Sequence, residues 1–326
     1  MTDSHDRNKP GLTRFMLNVL LFSLLTAAGL AACELYVRTR VNSISYQQTY
    51  VREHGAGIST LILGASSIWW GVDPRYFPSD SVFSMAYNGQ SLHHSRRIME
   101  TCRSRMPALR EIVLGILPCS FTDYPTEVTD SWMSEIPFTI YTDFNDHSPF
   151  SRYNFEICFP PRFRQILLPW LDGTHDKFDR LGHSTQSPAA NRDKNWRKGF
   201  RWISGGHVAP DFRYVGYNIA EMRGLLEFCR REGIRVTVVQ TPLYPTYTLG
   251  IPRRQMALHY SAIRGLQAEY GFRFLDFADD SRVGPEAFYD VVHLSTDTGA
   301  RIFTPLLVSD LGKAEAGGQQ FPVASR

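Results

Sequence analysis

The sequence predicts an α/β protein, a three-layer α/β/α fold in which helices cover both faces of a mostly parallel sheet. Short apolar runs alternate with helical stretches along the chain, as is typical of such sheets. The 326 residues are 43% hydrophobic and include 21 Phe, 15 Tyr and 6 Trp, enough to fill a sizeable core and to exclude a disordered chain. Because the formal net charge is only +3, no global field favours nucleic acid as a partner.

An uncharged apolar stretch near the N-terminus predicts a membrane anchor. Residues Phe15 to Cys33 carry no charge, and about 20 such residues span a bilayer core as a helix. Basic residues precede the stretch, so we expect a cytoplasmic tail at 1–14, a single-pass anchor at 15–37 in the cytoplasmic membrane, and a periplasmic or extracellular domain. Leu30-Ala31-Ala32-Cys33 also resembles a bacterial lipobox, and lipidation of Cys33 is an alternative that would equally tether the domain to a membrane.

Apolar runs bounded by glycine or proline predict four buried strands, at residues 59–63, 111–117, 233–240 and 272–277. Helices are expected between and after them, at residues 68–70, 94–105, 218–231, 255–270 and 297–309. Because the carboxyl ends of parallel strands share one edge of a sheet, we expect the functional site at that edge.

The spacing of these elements defines the expected domain organisation. Residues 38–57 are expected to form a stalk that ends in a flexible Gly55-Ala56-Gly57, followed by the α/β domain at 58–312. Residues 119–213 interrupt the alternation with many proline, aromatic and polar residues. A structureless loop of that length is unusual, so we expect an insertion with short helices that forms a cap over the site or an interface. Residues 313–326 are expected to form a flexible tail.

The cysteines and the densest basic cluster give little functional information. The five cysteines show no CxxC pair and no zinc-like spacing, so no metal site or cofactor is predicted. Buried free thiols are preferred over a disulfide. The basic cluster favours a solvated loop over a site for an anionic ligand or lipid head group; it comprises Arg192, Lys194, Arg197, Lys198 and Arg201.

A serine pair follows the first predicted strand. In Gly64-Ala65-Ser66-Ser67, a serine at the carboxyl end of a strand is exposed beside the N–H groups that open the next helix. That placement suits a nucleophile with nearby oxyanion donors. The alternative is that Ser66 or Ser67 caps the helix, and Ser67 is an alternative nucleophile.

A second group of reactive residues follows the last predicted strand. Asp290 and His293 lie three residues apart on a turn, so both can point toward one serine. His293 would act as general base, and Asp290 would fix the tautomer of its ring and stabilise the imidazolium. The alternative is a surface loop.

Together the two blocks resemble the SGNH/GDSL hydrolases, and more closely their membrane-anchored DltD-like and alginate O-acetylation-like branch. Gly64-Ala65-Ser66 stands where the family has its GDS block, and Asp290 to Ser295 resembles the terminal DxxHL block. Met85 to Ser91 resembles the block whose glycine amide helps to form the oxyanion hole. The resemblance implies a flavodoxin-like sheet, Ser66 as nucleophile, and oxyanion donors at Gly89 and Asn88.

The resemblance further implies an esterase or O-acyltransferase that acts on acyl esters of a cell-surface polysaccharide, with a membrane-bound O-acyltransferase as a partner. The family's asparagine oxyanion donor should fall near residues 114–118, where the sequence has none. An inactive scaffold or glycan-binding component of a polymer acylation or export machine is therefore an alternative. A lipase-like enzyme is a third, and it would need a wide apolar cleft.

Overall fold

Five parallel strands form the central sheet in a computed structural model that describes residues 10–123, 132–158, 178–199, 207–209 and 211–316. Within these residues the strands are β1 Thr60–Leu63, β2 Val82–Ser84, β3 Glu111–Ile116, β4 Arg235–Gln240 and β5 Arg273–Asp276. They pair in the order β2-β1-β3-β4-β5, which is the order of flavodoxin-like doubly wound folds. The predicted fold class is confirmed.

The alternation of side chains along the strands separates two hydrophobic cores, one on each face of the sheet. On one face the strands contribute Leu61, Leu63, Ile112, Leu114 and Val238 to the first core. On the other face they contribute Ile62, Val113 and Val239 to the second core. All of these side chains are buried, so β1, β3 and β4 are covered on both faces as the sequence predicts. Strand β5, at the edge of the sheet, was also expected to be buried but is only partly so, and Asp276 at its end is exposed.

Helices cover both faces of the sheet. The helices are α1 Pro10–Arg38, α2 Ser43–His54, α3 Ser66–Gly71, α4 Leu92–Cys102, α5 Trp132–Tyr141, α6 Val215–Arg231, α7 Pro245–Gly250, α8 Arg253–Tyr270 and α9 Thr298–Ala316. Helices α2, α4, α5, α6 and α8 contribute buried side chains to the first core, and α3, α7 and α9 contribute to the second. The predicted helices at 218–231, 255–270 and 297–309 lie within α6, α8 and α9.

The ends and faces of these helices follow from the sequence. Helix α6 buries Met222, Leu225, Leu226 and Cys229, the one-sided stripe of an amphipathic helix. Helix α8 ends at Gly271, whose φ of 69° is left-handed and whose N–H donates to the Gln267 carbonyl at 2.8 Å. Strand β2 was not predicted, because three residues are too few to show a periodicity.

Helix α1 has the length and composition of a membrane span. Within Gly11–Arg38, an 18-residue window has a mean hydropathy of 2.0, and none of that window is buried. It is the one such helix in the described part of the chain. The carboxyl end is fastened to the insertion, because Glu34 accepts hydrogen bonds from the backbone N–H groups of Glu156 and Ile157, both at 3.1 Å.

Residues 38–57, which we expect to form a stalk ending in a flexible glycine-rich turn, are largely helical. Most of them form α2, which opens with a capping box between Asn42 and Ser45. Ile44 and Val51 on this helix are buried in the first core. Gly55 is buried as well, and a Cβ there would lie 2.6 Å from the Arg105 carbonyl oxygen. Helix α2 was missed because polar residues separate the few apolar positions that it buries.

The described parts of the insertion are built into the domain. Helix α5 buries Ile136 and Phe138, and Phe138 belongs to the first core. Beside β2, the Ser84 N–H donates to the Leu181 carbonyl at 2.9 Å. The remaining insertion residues (124–131, 159–177, 200–206 and 210), like 1–9 and 317–326, lie outside the described residues. The tail expected at 313–326 therefore lies largely outside them, and α9 extends through Ala316.

Candidate active site

Two glycines determine where Ser66 lies. Gly64 follows β1 with a φ of 127°, and a Cβ there would lie 2.6 Å from the Gly115 carbonyl oxygen. A Cβ on Gly115 would lie 2.5 Å from the Cβ of Ile68. These close approaches let α3 begin directly at the carboxyl edge of the sheet. Ala65 is the N-cap of α3 and Ser66 its first residue, so neither Ser66 nor Ser67 caps the helix as the alternative supposed.

The structure brings Ser66, His293 and Asp290 together in one hydrogen-bonded chain. Ser66 Oγ lies 2.7 Å from His293 Nε2. His293 Nδ1 lies 2.9 Å and 2.8 Å from the two carboxylate oxygens of Asp290. This arrangement allows the imidazole to accept the Ser66 proton at Nε2 while its Nδ1–H donates to Asp290.

Asp290 is held as an anion by its own loop. Burial alone would raise the pKa of its carboxyl, but the charge of His293 and hydrogen bonds from His293 and two backbone N–H groups outweigh burial and lower the pKa. Those N–H groups belong to Val292 and His293, and both donate to Oδ1 at 2.8 Å. An ionised Asp290 at neutral pH is the state that orients the imidazole and stabilises its protonated form.

Trp70 contacts both His293 and the predicted oxyanion loop, which carries Asn88 and Gly89. Its ring lies 4.4 Å from the His293 ring, centroid to centroid, and Tyr289 packs on its edge at 5.7 Å. The Trp70 indole N–H donates to Asn88 Oδ1 at 3.2 Å. The side chain of Trp70, on α3, therefore lies between the base and the loop that carries Asn88 and Gly89.

The predicted oxyanion loop is fixed beside Gly64 by two hydrogen bonds. The Gly64 N–H donates to Gln90 Oε1 at 2.5 Å, and the Tyr87 N–H donates to the Gly64 carbonyl at 3.3 Å. Gly89 between them has a φ of 73°, a conformation that favours glycine. Among the described residues, the backbone N–H groups of Ser66 and Gly89 have no acceptor. Both are therefore available to a substrate oxygen, and the roles of Gly89 and Asn88 stay predictions.

His207, in the insertion, was not predicted as a site residue. Its Nδ1 lies 2.9 Å from the Tyr247 hydroxyl and 3.7 Å from Cys119 Sγ. Burial lowers the pKa of His207 to about 4; the charge of His293 lowers the pKa further and Asp290 opposes it. His207 is therefore neutral at physiological pH and close enough to His293 and Asp290 for their charges to act on it. No motif surrounds it in the sequence, so only the folded arrangement reveals it.

Several other histidine and acidic side chains pair with each other or with arginine. His94 Nε2 lies 3.0 Å from Glu135, which also contacts His147 at 2.8 Å, and this cluster ties α5 to α4. Asp143 pairs with Arg105 at 2.6 Å. In the part of the chain that the structure describes, no group of three His, Cys, Asp or Glu side chains could hold a metal ion. All five cysteines lie in that part and are free thiols.

The basic cluster is partly used within the fold. Arg192 donates from Nη1 to the Phe288 carbonyl at 2.7 Å, two residues before Asp290. The guanidinium groups of Arg192 and Arg197 both lie over the Trp196 ring, at 5.1 Å and 5.2 Å. Trp196 in turn packs against Phe288 and is buried in the second core. This part of the insertion therefore supports the loop that carries Asp290 and His293.

Described residues line two cavities at the carboxyl edge of the sheet. The first, of about 40 Å³, lies behind Ser67 and is lined by Ala65, Cys119 and Asp123 among others. Burial raises the pKa of Asp123 to about 7. The second, of about 220 Å³, lies beyond β4 and β5 and is lined by Tyr244 and Phe288 among others. Neither reaches the roughly 300–1,000 Å³ of a site that encloses a drug-sized ligand.

Comparison of the sequence with family models and with curated proteins finds no match. The solved structures to which the chain is similar include esterases and lipases. A GDSL-like lipase from Bacteroides thetaiotaomicron is 10% identical with a TM-score of 0.41, and the match covers 83% of this chain and 99% of that chain. A psychrotrophic esterase from Pseudoalteromonas is 9% identical with a TM-score of 0.39, and the match covers 80% of this chain and 99% of that chain. An acetylxylan esterase from Geobacillus stearothermophilus, solved as a catalytic mutant, is 12% identical with a TM-score of 0.37. That match covers 79% of this chain and 95% of that chain.

Proposed function

We propose that the chain is a serine esterase or acyl-transfer enzyme of the SGNH type. The observation that carries the proposal is the hydrogen-bonded chain from Ser66 Oγ through the His293 imidazole to the Asp290 carboxylate. A serine is a weak nucleophile until a base accepts its proton, and the 2.7 Å contact places a base at that proton. An inactive scaffold would not require Ser66, His293 and Asp290 to be aligned in this way.

In the first half of the reaction, Ser66 Oγ attacks the ester carbonyl carbon while its proton moves to His293 Nε2. The carbonyl π-bond electrons move to the oxygen, which becomes an oxyanion. The backbone N–H groups of Ser66 and Gly89 donate to that oxygen. The intermediate collapses as the C–O bond to the leaving alcohol breaks, and the His293 imidazolium returns the proton to the alcohol oxygen. An acyl ester of Ser66 remains.

In the second half, water or an acceptor alcohol attacks the acyl ester. His293 takes the proton of the attacking oxygen, and the collapsing intermediate releases Ser66, which regains its proton from His293. Hydrolysis and transfer therefore use the same residues and differ only in the attacking oxygen. What decides between them is whether an acceptor hydroxyl or water occupies the position beside His293 Nε2.

We propose further that helix α1 anchors the domain outside the cytoplasmic membrane, where it acts on acyl esters of a cell-surface polysaccharide. Support comes from the length and apolar composition of α1 and from the resemblance of the Ser66 and Asp290–His293 blocks to a membrane-anchored branch of the family. A membrane-bound O-acyltransferase is the proposed partner. The lipase-like alternative would need a wide apolar cleft; of the two cavities described above, which are lined by described residues, the larger is about 220 Å³.

The decisive experiment replaces Ser66 with alanine in the full-length protein in detergent. We expect S66A to lose hydrolysis of p-nitrophenyl acetate and covalent labelling by a fluorophosphonate probe. The matched control is S67A, because Ser67 is the adjacent serine and its hydroxyl is buried without a partner in the described residues. S67A should retain both activities. Full activity in S66A, or loss confined to S67A, would refute the proposal.

The substrate class is tested separately with O-acetylated polysaccharide in place of the small ester. Wild-type protein should release acetate, or transfer acetyl to a second glycan, and S66A should do neither. Release from p-nitrophenyl acetate without any reaction on acetylated glycans would keep the esterase and reject the polysaccharide as its substrate.

A further inference from the structure

His207 is held at the site by contacts from three separate parts of the fold. The buried Gln255 side chain, on α8, donates to the His207 carbonyl at 2.7 Å and accepts from the Ala209 N–H at 3.1 Å. The Tyr247 hydroxyl, on α7, contacts the His207 ring at Nδ1. Cys119, just beyond β3, lies against the same nitrogen. Because both its backbone carbonyl and its ring have partners, His207 is held in one position.

These contacts and the strand order place His207 near the end of β3, on the other side of β1 from Gly89. In the sheet, β1 lies between β2 and β3, and Leu63 of β1 pairs with Leu114 of β3. Gly89 follows β2, whereas Cys119, which contacts His207, follows β3. Helix α7 is also tied to the catalytic loop, because the Tyr244 N–H donates to the Val291 carbonyl at 3.0 Å. His207 therefore lies between the end of β3 and the loop of Asp290 and His293.

We propose that His207 donates a hydrogen bond from Nε2 to the substrate oxyanion as a third donor beside the Ser66 and Gly89 N–H groups. This role rests on the proposed esterase function and deepens it. The sequence offers no asparagine after β3 for this task, and His207 reaches the same edge from the insertion instead.

The tautomer of His207 follows from its partners. Burial keeps the Tyr247 phenol protonated by raising its pKa well above the ordinary value, and we assign its O–H as the donor to Nδ1. With Nδ1 occupied as an acceptor, a neutral ring carries its proton on Nε2. Tyr247 is thus a positioning residue that keeps a donor directed away from itself.

A neutral imidazole suits this position better than a charged one. A second positive charge near His293 would oppose protonation of the catalytic base during attack on the ester. The low pKa of His207 prevents that conflict, while its N–H can still stabilise the developing oxyanion. Removing one such donor costs about 100-fold to 1,000-fold in kcat in comparable sites.

The test compares H207Q with H207M, since glutamine keeps an N–H near the position of Nε2 and methionine has the same length without one. With p-nitrophenyl acetate as substrate we expect kcat to fall in the order wild type, H207Q, H207M, with a loss of about 100-fold for H207M and little change in KM. The matched control is H259Q, because His259 is likewise buried with a pKa lowered by burial to about 4 but does not contact the site residues. H259Q should retain the wild-type kcat.

The variants are first checked by thermal unfolding, and H207F replaces H207M as the donor-free variant if H207M does not fold. Equal loss in H207Q and in the donor-free variant would overturn the donor role, as would wild-type kcat in the latter. Y247F, which frees the tautomer, should lower kcat less than the donor-free variant does. S66A is tested in parallel to distinguish the esterase proposal from the donor role of His207. If S66A is inactive and H207M is fully active, only the role of His207 is rejected.

Discussion

Replacing Asp290 with asparagine tests the electrostatic part of the site with almost no change in shape. The asparagine Oδ1 can still accept from the backbone N–H groups of Val292 and His293, which hold the loop at 2.8 Å. Its Nδ2, however, is a donor facing His293 Nδ1. The imidazole must then accept at Nδ1 and carry its proton on Nε2, directed at Ser66. In that tautomer it cannot accept the Ser66 proton.

The size of the effect follows from the distance between the charges. At the 2.8 Å separation of His293 Nδ1 and Asp290 Oδ2, an effective dielectric constant of about 20 gives roughly 6 kcal/mol between an imidazolium and a carboxylate. Each 1.36 kcal/mol in the barrier is a factor of about ten in rate, so this energy corresponds to at most about 10⁴-fold. The Asp290 side chain is 26% exposed, and solvent screens part of the interaction. We therefore expect a loss of about 10³-fold to 10⁴-fold in kcat for D290N.

The assay is p-nitrophenyl acetate hydrolysis at pH 7.5, with thermal unfolding measured on the same preparations. The matched control is D297N, because Asp297 also accepts backbone hydrogen bonds, from Ala189 and Thr298, yet does not contact His293. D297N should keep kcat and lose some stability. A folded D290N that retains kcat within about tenfold of wild type would show that Asp290 does not control His293.

Three further predictions concern the surroundings of the site. G115A should lower the free energy of unfolding by about 1–3 kcal/mol in urea titration, because its Cβ would lie 2.5 Å from that of Ile68; an unchanged midpoint would contradict this contact. Burial lowers the pKa of His259 to about 4 against about 6.5 when unfolded, so the unfolded state takes up a proton first and stability falls as pH decreases from 6.5 toward 4. H259L should therefore remove about 2 kcal/mol of the loss in unfolding free energy between pH 7 and pH 4.5, and parallel pH profiles of the two proteins would count against it. W70F keeps an aromatic face for His293 but loses the hydrogen bond to Asn88, so its kcat should fall less than that of W70A, and the reverse order would reject the packing role.

The parts of the fold that the sequence predicts are those with a local pattern. Strands β1, β3, β4 and β5 are apolar runs with clear boundaries, and α6 carries a regular apolar stripe. Helix α2 and strand β2 have no such pattern, because the burial of Ile44 or Phe83 depends on partners far along the chain. Local composition cannot contain that information.

The same division applies to the site. Ser66, Asp290 and His293 stand out because the chemistry needs those residue types at strand ends, where short blocks carry them. Their contact joins residues 227 positions apart and depends on the order of the strands. His207 stands in a segment with no periodicity, and its place at the site is set by Gln255 and Tyr247. Nothing in the sequence around residue 207 records those partners.

The fastening of α1 determines how far the active site can move. Glu34 binds the backbone of Glu156 and Ile157, and α2 lies in the core, so only residues 39–42 separate the apolar helix from the domain. Four residues span at most about 14 Å even when fully extended. With α1 as the proposed anchor, the domain stays at a nearly constant distance from the bilayer surface. The esters that it reaches are then selected by where a surface polymer carries them relative to the lipid, and a longer linker inserted before Ser43 would widen that zone.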